Sequence, residues 1–270
     1  MARVIAIANQ KGGVGKTTTA INICASLGAS GQNVLLIDMD PQGNATMGAG
    51  VDKHDLEESV YDVLLDGKSI KEMAINAEQA GFYVIPANGE LTAAEIHLLD
   101  YDDREYRLTN AIEKIKDDYD FIFIDCPPSL NMLSLNSLTA ADSVLIPMQC
   151  EYYALEGLTA LMGTIQQIQD SVNPDLQVEG LLRTMFDGRN RLAIDVSMEL
   201  ESHFGDQVFK TLIPRNVRLA EAPSYGLPVM YHDINSSGAQ AYLELAVELI
   251  DKEDARKSSS AETKNEKQEI

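Results

Sequence analysis

A glycine-rich segment near the N-terminus constrains this chain more than any other feature of its sequence. It is the run Asn9-Gln10-Lys11-Gly12-Gly13-Val14-Gly15-Lys16-Thr17-Thr18-Thr19. The apolar residues 3–8 before it predict a buried strand, and residues 18–29 after it predict a helix. A strand, a glycine turn and a helix start bring backbone N–H groups and the positive end of the helix dipole to one point. The segment therefore predicts a phosphate-binding loop in an α/β fold.

The residues of this loop have distinct expected roles. Lys16 is placed to reach the β- and γ-phosphates of a nucleotide, the Thr17 hydroxyl to bind Mg²⁺, and Thr18 to lie near the α-phosphate. We expect nucleotide contacts from Gly12, Gly13, Val14, Gly15, Lys16, Thr17 and Thr18. The common motif has a glycine at the position of Gln10, so this loop is a deviant form of the motif.

The deviant loop carries an additional lysine, Lys11, at its mouth. A lysine there is poorly placed to serve its own nucleotide. It is well placed to cross a two-fold interface and neutralise phosphate charge in a partner subunit, as an arginine finger supplied in trans does. The alternative is a solvated loop residue. The glycine pair and the Lys16-Thr17 pair, which follow in register behind a strand, favour the trans role.

Alternating strand and helix patterns run through the rest of the chain. Apolar strand candidates lie at 34–37, 82–86, 121–125, 143–147, 176–182 and 208–213, and helical segments include 104–116, 154–170, 194–203 and 238–252. This alternation predicts a mostly parallel, doubly wound sheet with helices on both faces. No repeat or internal linker interrupts it, so we predict a single domain over residues 1–252. Residues 253–270 have almost no apolar content and predict a disordered polar tail.

Charge and cysteine usage limit the function classes. The formal net charge of −21 argues against constitutive nucleic-acid binding, because phosphate contacts need a positive surface. It leaves open a local basic patch that becomes useful after assembly. Cys24, Cys126 and Cys150 lie far apart, and we expect no signal peptide, which together favour reduced thiols in a cytosol.

Two acidic segments are expected at the carboxyl ends of strands, where ligands bind in open parallel sheets. Asp38 and Asp40 follow the strand at 34–37. We predict that Asp40 orients the attacking water and that Asp38 supports Mg²⁺ or the loop lysines; the alternative for either is a turn cap. Asp125 ends the strand at 121–125 and has the form of a Walker B acid, which holds Mg²⁺.

The chain resembles the ParA/Soj family of chromosome and plasmid partition ATPases in four segments: NQKGGVGKTTTAINI, LLIDMDPQGNAT, FIFIDCPPSL and TLIPRNVRLAEAPSYGLPV. The resemblance covers roughly residues 2–249. It implies a P-loop NTPase fold with ATP and Mg²⁺ as cofactors. It also implies an ATP-dependent homodimer that binds double-stranded DNA without sequence preference and is released when a ParB-like protein stimulates hydrolysis. Such a protein is cytoplasmic and nucleoid-associated, and we expect no membrane partner.

The resemblance also assigns residues. Lys11 matches the signature lysine, Lys16 the phosphate-loop lysine, Thr17 the magnesium ligand, Asp40 the water-orienting carboxylate and Asp125 the Walker B acid.

Further positions match DNA and base contacts in the family. Arg189 and Arg218 match positions that bind DNA in relatives, and we also expect DNA contacts from Arg191 and Arg215, their neighbours in the chain. The alternative is that these arginines pair with surface carboxylates. The segment of Pro214 and Asn216 is expected to frame the adenine.

Other members of the same superfamily remain as alternatives. A MinD-like regulator shares the deviant loop, but it should end in an amphipathic membrane helix, whereas this chain ends in polar residues. An iron–sulfur carrier needs cysteines after the Walker B acid, and residues 127–135 contain none. A relative that positions another cargo on a protein scaffold has the same ATPase motifs.

Overall fold

The structure is a computed structural model that describes residues 1–259 in full and residues 260–268 as helical backbone only. The strands are β1 (Arg3–Ile7), β2 (Val34–Asp38), β3 (Ile75–Ala77), β4 (Phe82–Ile85), β5 (Phe121–Asp125), β6 (Ser143–Gln149), β7 (Gln177–Phe186) and β8 (Val208–Pro214). The helices are α1 (Lys16–Ala29), α2 (Asn44–Gly48), α3 (Val60–Leu65), α4 (Ile70–Met73), α5 (Leu91–His97), α6 (Arg107–Ile112), α7 (Met132–Ala140), α8 (Ala154–Ser171), α9 (Arg191–Phe204), α10 (Val217–Glu221), α11 (Val229–His232) and α12 (Ser237–Gln268). Short 3₁₀ turns lie at Leu98–Asp100, Gly205–Gln207 and Ala222–Tyr225.

All eight strands form one sheet in the order β3-β4-β2-β5-β1-β6-β7-β8. Every neighbouring pair is parallel except β3 with β4, so the predicted, mostly parallel sheet is confirmed. The sequence pattern missed β3, because a three-residue edge strand is too short to show a period. In the central register Ile7 pairs with Asp125, and Asp38 also pairs with Asp125. The ends of β1, β2 and β5 therefore meet at one edge of the sheet.

Apolar side chains cover both faces of this sheet. Along β1, Val4 and Ala6 belong to one hydrophobic cluster, whereas Ile5 and Ile7 belong to a second. Successive strand residues point to opposite faces, so these two clusters are the two sides of the sheet. Helices α1 and α12 cover the second cluster, and α3, α7, α8 and α9 contribute to the first. The predicted doubly wound arrangement is confirmed.

The C-terminal helix α12 reaches into residues 253–270, for which the sequence predicts a disordered tail. Helix α12 continues to Gln268, with residues 269–270 outside the described part. Arg256 in this helix forms a long-range ion pair: its Nη1 and Nη2 lie 2.9 and 2.8 Å from the two carboxylate oxygens of Glu179, whose side chain is fully buried. Arg3 and Ser143 also donate to Glu179. The tail is thus anchored at least as far as Arg256.

This anchor sets the ionisation of Glu179. Burial alone would raise the pKa of the carboxyl, but the hydrogen bonds from Arg256 and Ser143 and the charge of Arg3 outweigh burial, and the pKa is lowered. A lowered folded-state pKa stabilises the fold at neutral pH, and that contribution is lost as pH falls through the lowered value.

Within the described residues, no helix is sufficiently long and apolar to cross a membrane.

We expect Arg256→Ala to lower the free energy of unfolding by about 2 kcal/mol, because it leaves part of a buried charge unpaired. Urea unfolding at pH 7 measures this change. Lys257→Ala is the matched control: the Lys257 side chain is 59% exposed and its nearest carboxylate contact is 3.7 Å away, so its effect should stay below about 0.5 kcal/mol. Equal effects of the two substitutions would contradict the anchor.

Candidate nucleotide site and basic loops

The phosphate loop has the backbone geometry of an anion site. Gly13 and Gly15 adopt φ angles of +73° and +90°, a left-handed region in which a side chain would be strained. Helix α1 begins at Lys16, and no side chain caps its first turn. The N–H groups of that turn therefore remain available to an anion.

The two polar residues that begin α1 face the inside of the site. Lys16 is only 8% exposed, and its Nζ lies 3.5 Å from the carbonyl oxygen of Lys11, so its ammonium lies against the backbone of the loop. The Thr17 hydroxyl donates to Oδ2 of Asp125 at 2.8 Å. The structure thus brings together Lys16, Thr17 and Asp125 as the motif predicts, and their ligands stay predictions.

Asp125 is fully buried, and its other oxygen, Oδ1, has no hydrogen-bond partner among the described residues. Burial and the charge of Asp38 raise the pKa of Asp125 well above its usual value. An orphaned carboxylate oxygen beside a threonine hydroxyl fits a Mg²⁺ ion or its water shell. No group of three or more His, Cys, Asp or Glu in the described residues could hold a metal. The remaining ligands of such an ion would therefore be phosphate and water oxygens.

Asp38 does not show the contacts of a metal ligand. Its Oδ2 accepts from the backbone N–H and the hydroxyl of Thr46, at 2.9 and 2.7 Å, and its Oδ1 accepts from the N–H of Asp40 at 3.1 Å. Burial raises the pKa of Asp38 to about 6, although these hydrogen bonds act to lower it. These contacts are those of the turn-capping alternative, in which Asp38 ties the end of β2 to α2. The support of Mg²⁺ by Asp38 stays a prediction.

Asp40 lies farther out, as the sequence predicts. It is half-buried, and its Oδ1 accepts from the N–H of Gln42 at 2.9 Å. Its charge contributes to the raised pKa of both Asp38 and Asp125, so it belongs to the same acidic cluster. A partly exposed carboxylate at this position can accept a hydrogen bond from water.

The side chain of Lys11 does not lie over its own loop. Lys11 Nζ is 2.5 Å from Oε2 of Glu151, in the segment between β6 and α8. Both side chains are about half exposed, at 48% and 50%. Sequence reasoning missed Glu151, because no spacing links it to the loop 140 residues earlier.

A mainly apolar pocket of about 190 Å³ adjoins the loop at Gly15 and Thr18. Leu219 and Tyr242 contribute to its wall, and Pro214 and Asn216 line it too. Asn216 is held in place, because its Oδ1 caps α10 at Arg218 N and its Nδ2 donates to Ser237. An apolar pocket beside a phosphate site suits a purine ring, and the adenine contacts of Pro214 and Asn216 stay predictions.

The four predicted DNA-binding arginines lie on two neighbouring loops and on the first residues of the helices that follow them, α9 and α10. Arg189 and Arg191 follow β7, whereas Arg215 and Arg218 follow β8. The N–H of Arg215 donates to the carbonyl of Phe186 at 3.3 Å, so the two loops are adjacent. We call them the basic loops, residues 187–191 and 215–218.

Most of these arginines already have acidic partners. Arg189, 92% exposed, donates twice to Asp187, and these bonds lower the pKa of Asp187 to about 2. Arg218 contacts Glu221 at 2.7 Å and Asp233 at 3.3 Å. Arg191, 95% exposed, is 4.0 Å from Asp195. Arg215 forms no ion pair with the described residues. Local pairing, the alternative to DNA contact, is therefore present for three of the four.

The three thiols do not form a cluster. Cys24, Cys126 and Cys150 are all buried and free, and burial raises the pKa of each. Their separation gives no support to the iron–sulfur alternative.

Comparison with known proteins places this site in a family. A family model described as an AAA domain matches residues 2–178. The sporulation initiation inhibitor protein Soj of Bacillus subtilis is 52% identical over 249 residues, covering 92% of this chain and 98% of Soj. The chromosome partitioning protein ParA of Caulobacter vibrioides is 49% identical over 261 residues, covering 96% of this chain and 98% of ParA.

A solved structure shares the fold and carries ligands. A Mycobacterium smegmatis protein described as cobyrinic acid a,c-diamide synthase, with bound ATP analogue and magnesium, is 40% identical with a TM-score of 0.81. The match covers 93% of this chain and 95% of that chain. Nucleotide and magnesium binding therefore occur in this fold. With half-identical relatives over nearly its whole length, the chain belongs to the ParA/Soj family of partition ATPases.

Proposed function

We propose that this ATPase is a DNA-segregation switch: its ATP-bound form is a homodimer that binds nucleoid DNA without sequence preference, and a ParB-like partner releases it by stimulating hydrolysis. Chromosome or plasmid partition would be driven by this cycle. The cellular location that follows is cytoplasmic and nucleoid-associated.

The observation that carries the proposal is the position of Lys11. Its ammonium lies at the surface on Glu151 instead of inside its own loop. A half-exposed lysine at the rim of a nucleotide site is available to a second copy of the chain. In a two-fold dimer each Lys11 would reach the phosphates bound by the other subunit, which makes dimer formation depend on ATP.

The remaining site residues would carry out hydrolysis within one subunit. Lys16 and the N–H groups of the first turn of α1 would hold the β- and γ-phosphates, and Asp40 would orient the water that attacks the γ-phosphorus. Thr17 and Asp125 would hold Mg²⁺, which neutralises phosphate charge when bound. Catalysis of this kind depends on positioning and charge stabilisation, so the unassisted rate should be slow.

DNA binding would use the basic loops. The chain is strongly acidic, so a few arginines per subunit suffice for binding only when two subunits present them together. The side chains of Arg189 and Arg191 are almost fully exposed, at 92% and 95%. Weak, salt-sensitive binding that requires the dimer suits a protein that must be released.

A MinD-like or other cargo-positioning ATPase remains the alternative function. Its distinguishing requirement is a membrane or protein scaffold as the binding surface. Residues 253–268 show no run of apolar residues at helical spacing opposite a basic face. Binding to random-sequence duplex DNA with ATP, with ADP and without nucleotide tests the proposal; binding to liposomes and not to DNA would favour the alternative.

Mixing two inactive variants tests the trans role of Lys11. A heterodimer of Lys11→Ala and Asp40→Ala subunits has one intact site, which combines Asp40 of one subunit with Lys11 of the other. We expect the mixture to recover up to about a quarter of the wild-type rate of ATP hydrolysis, because half of the random dimers are mixed and each has one active site. Asp40→Ala mixed with Lys16→Ala is the control and should recover nothing. A mixture no more active than its components would contradict the trans role.

Charge reversal in the basic loops tests DNA contact. We expect Arg189→Glu to abolish ATP-dependent DNA binding at moderate salt, and Arg189→Ala to reduce the slope of log affinity against log salt by about 2, from one phosphate contact in each subunit. Fluorescence anisotropy with duplex DNA measures both. Lys114→Glu is the control, since it makes the same charge change at an exposed position outside the basic loops. Equal losses in Arg189→Glu and Lys114→Glu would indicate a general charge effect.

The raised pKa of Asp125 predicts a pH-dependent stability effect. Above its folded-state pKa the buried charge destabilises the nucleotide-free fold, whereas below the unfolded value near 3.8 the group is neutral in both states. Asp125→Asn should therefore raise the free energy of unfolding at pH 8 by about 1–3 kcal/mol, with the gain declining towards pH 4. Stabilisation by MgADP should be lost. The exposed Asp100→Asn serves as control, and a pH-independent gain would contradict the buried-charge explanation.

A further inference from the structure

Two successive carbonyl groups of the phosphate loop are held by side chains from strands β6 and β7. Gln149 Nε2 donates to the carbonyl of Gly13 at 2.9 Å, and the Thr184 hydroxyl donates to the carbonyl of Val14 at 2.7 Å. Gln149 and Thr184 are register partners at the ends of these two parallel strands. Neither residue belongs to the loop motif.

The orientation of these carbonyls fixes the orientation of the loop's donors. In a planar trans peptide the C=O and the following N–H point in opposite directions. Holding the carbonyls of Gly13 and Val14 towards Gln149 and Thr184 turns the N–H groups of Val14 and Gly15 the other way. Glycines at positive φ have the freedom to rotate these peptides, so a loop without outside support would lose conformational entropy on binding a phosphate.

The backbone next to Thr184 is strained in a way that serves this contact. Met185 has a φ of +50° and is the only non-glycine residue with positive φ in the described part of the chain. Its sulfur accepts from the same Gln149 amide at 2.9 Å, and it lines the 190 Å³ pocket together with Thr184. A regular strand would send adjacent side chains to opposite faces. The left-handed residue lets both face the nucleotide side, and such strain persists where the surroundings hold it.

We propose that Gln149 and Thr184 are positioning residues for ATP binding, which hold the phosphate loop with its N–H groups directed at the phosphates beyond the first. Thr184 is 2% exposed, and its hydroxyl lies also 3.2 Å from the carbonyl of Met148. The inference rests on the proposed role of the phosphate loop.

The test compares three substitutions in the full chain with one matched control. Thr184→Val keeps the shape and removes the hydroxyl, Thr184→Ser keeps the hydroxyl, and Gln149→Leu removes the amide at a partly exposed position. Thr211→Val is the control. Thr211 on β8 is another buried strand threonine, and its hydroxyl donates a hydrogen bond to Glu248 at 2.9 Å.

The measurements are KM and kcat for ATP, Kd for ADP and for AMP, and the melting temperature without nucleotide. We expect Thr184→Val to weaken ADP binding and raise KM by about tenfold with a smaller change in kcat, and Gln149→Leu to do so by several-fold. Thr184→Ser should restore most of the affinity. The loss should be larger for ADP than for AMP, because the loop holds phosphates beyond the first. A merely structural role would lower the melting temperature as Thr211→Val does and leave the ADP-to-AMP ratio unchanged.

The proposal is overturned if Thr184→Val and Gln149→Leu bind ADP as wild type does, or if ADP and AMP affinities fall equally. Lys16→Ala separates this outcome from a failure of the proposed function. If Lys16→Ala abolishes ADP binding while the Thr184 and Gln149 variants bind normally, the phosphate loop is the site and only the positioning role is wrong. If Lys16→Ala also binds normally, the proposed site itself is wrong.

Discussion

The buried carboxylate of Asp125 is the constraint on which the rest of the site depends. Parallel pairing of β5 with β1 and β2 places it beside both the phosphate loop and Asp38, with no exposure to solvent. One of its oxygens accepts a hydrogen bond from Thr17, and the other has no hydrogen-bond partner among the described residues. A fold with two buried carboxylates side by side and one orphaned oxygen is at a disadvantage without a cation. The arrangement is therefore suited to binding a cation.

The sequence predicts those parts of the site that are local in the chain. The phosphate loop, the start of α1 and the aspartate that ends β5 are each contained in one short segment, so pattern and neighbouring strand are enough. The hydrogen bonds of Asp38 are harder to predict, because they depend on how α2 brings Thr46, eight residues later, back to the end of β2. The same chemistry, an aspartate after a strand, serves as a cap in one case and stays open to a ligand in the other.

Contacts between distant strands are outside the reach of sequence patterns. Glu151 meets Lys11, and Thr184 meets Val14, only because β6 lies next to β1 and β7 next to β6 in the sheet. The C-terminal helix shows the same limit. The polar composition of residues 253–270 predicts disorder, and it carries no sign of the ion pair that Arg256 forms with Glu179, 77 residues away.

The acidic partners of the basic loops have a consequence for how a polyanion would leave. A phosphate that contacts Arg189 would replace the Asp187 carboxylate. When the phosphate departs, that carboxylate can pair with Arg189 again, because it lies only two residues away in the chain. The exchange would replace one anion by another, so the guanidinium of Arg189 would keep an anionic partner throughout. The barrier to departure of the phosphate would therefore stay low. In the proposed DNA-bound form, the excess of carboxylates would act as an internal competitor and would favour rapid hopping between sites over long residence at one of them.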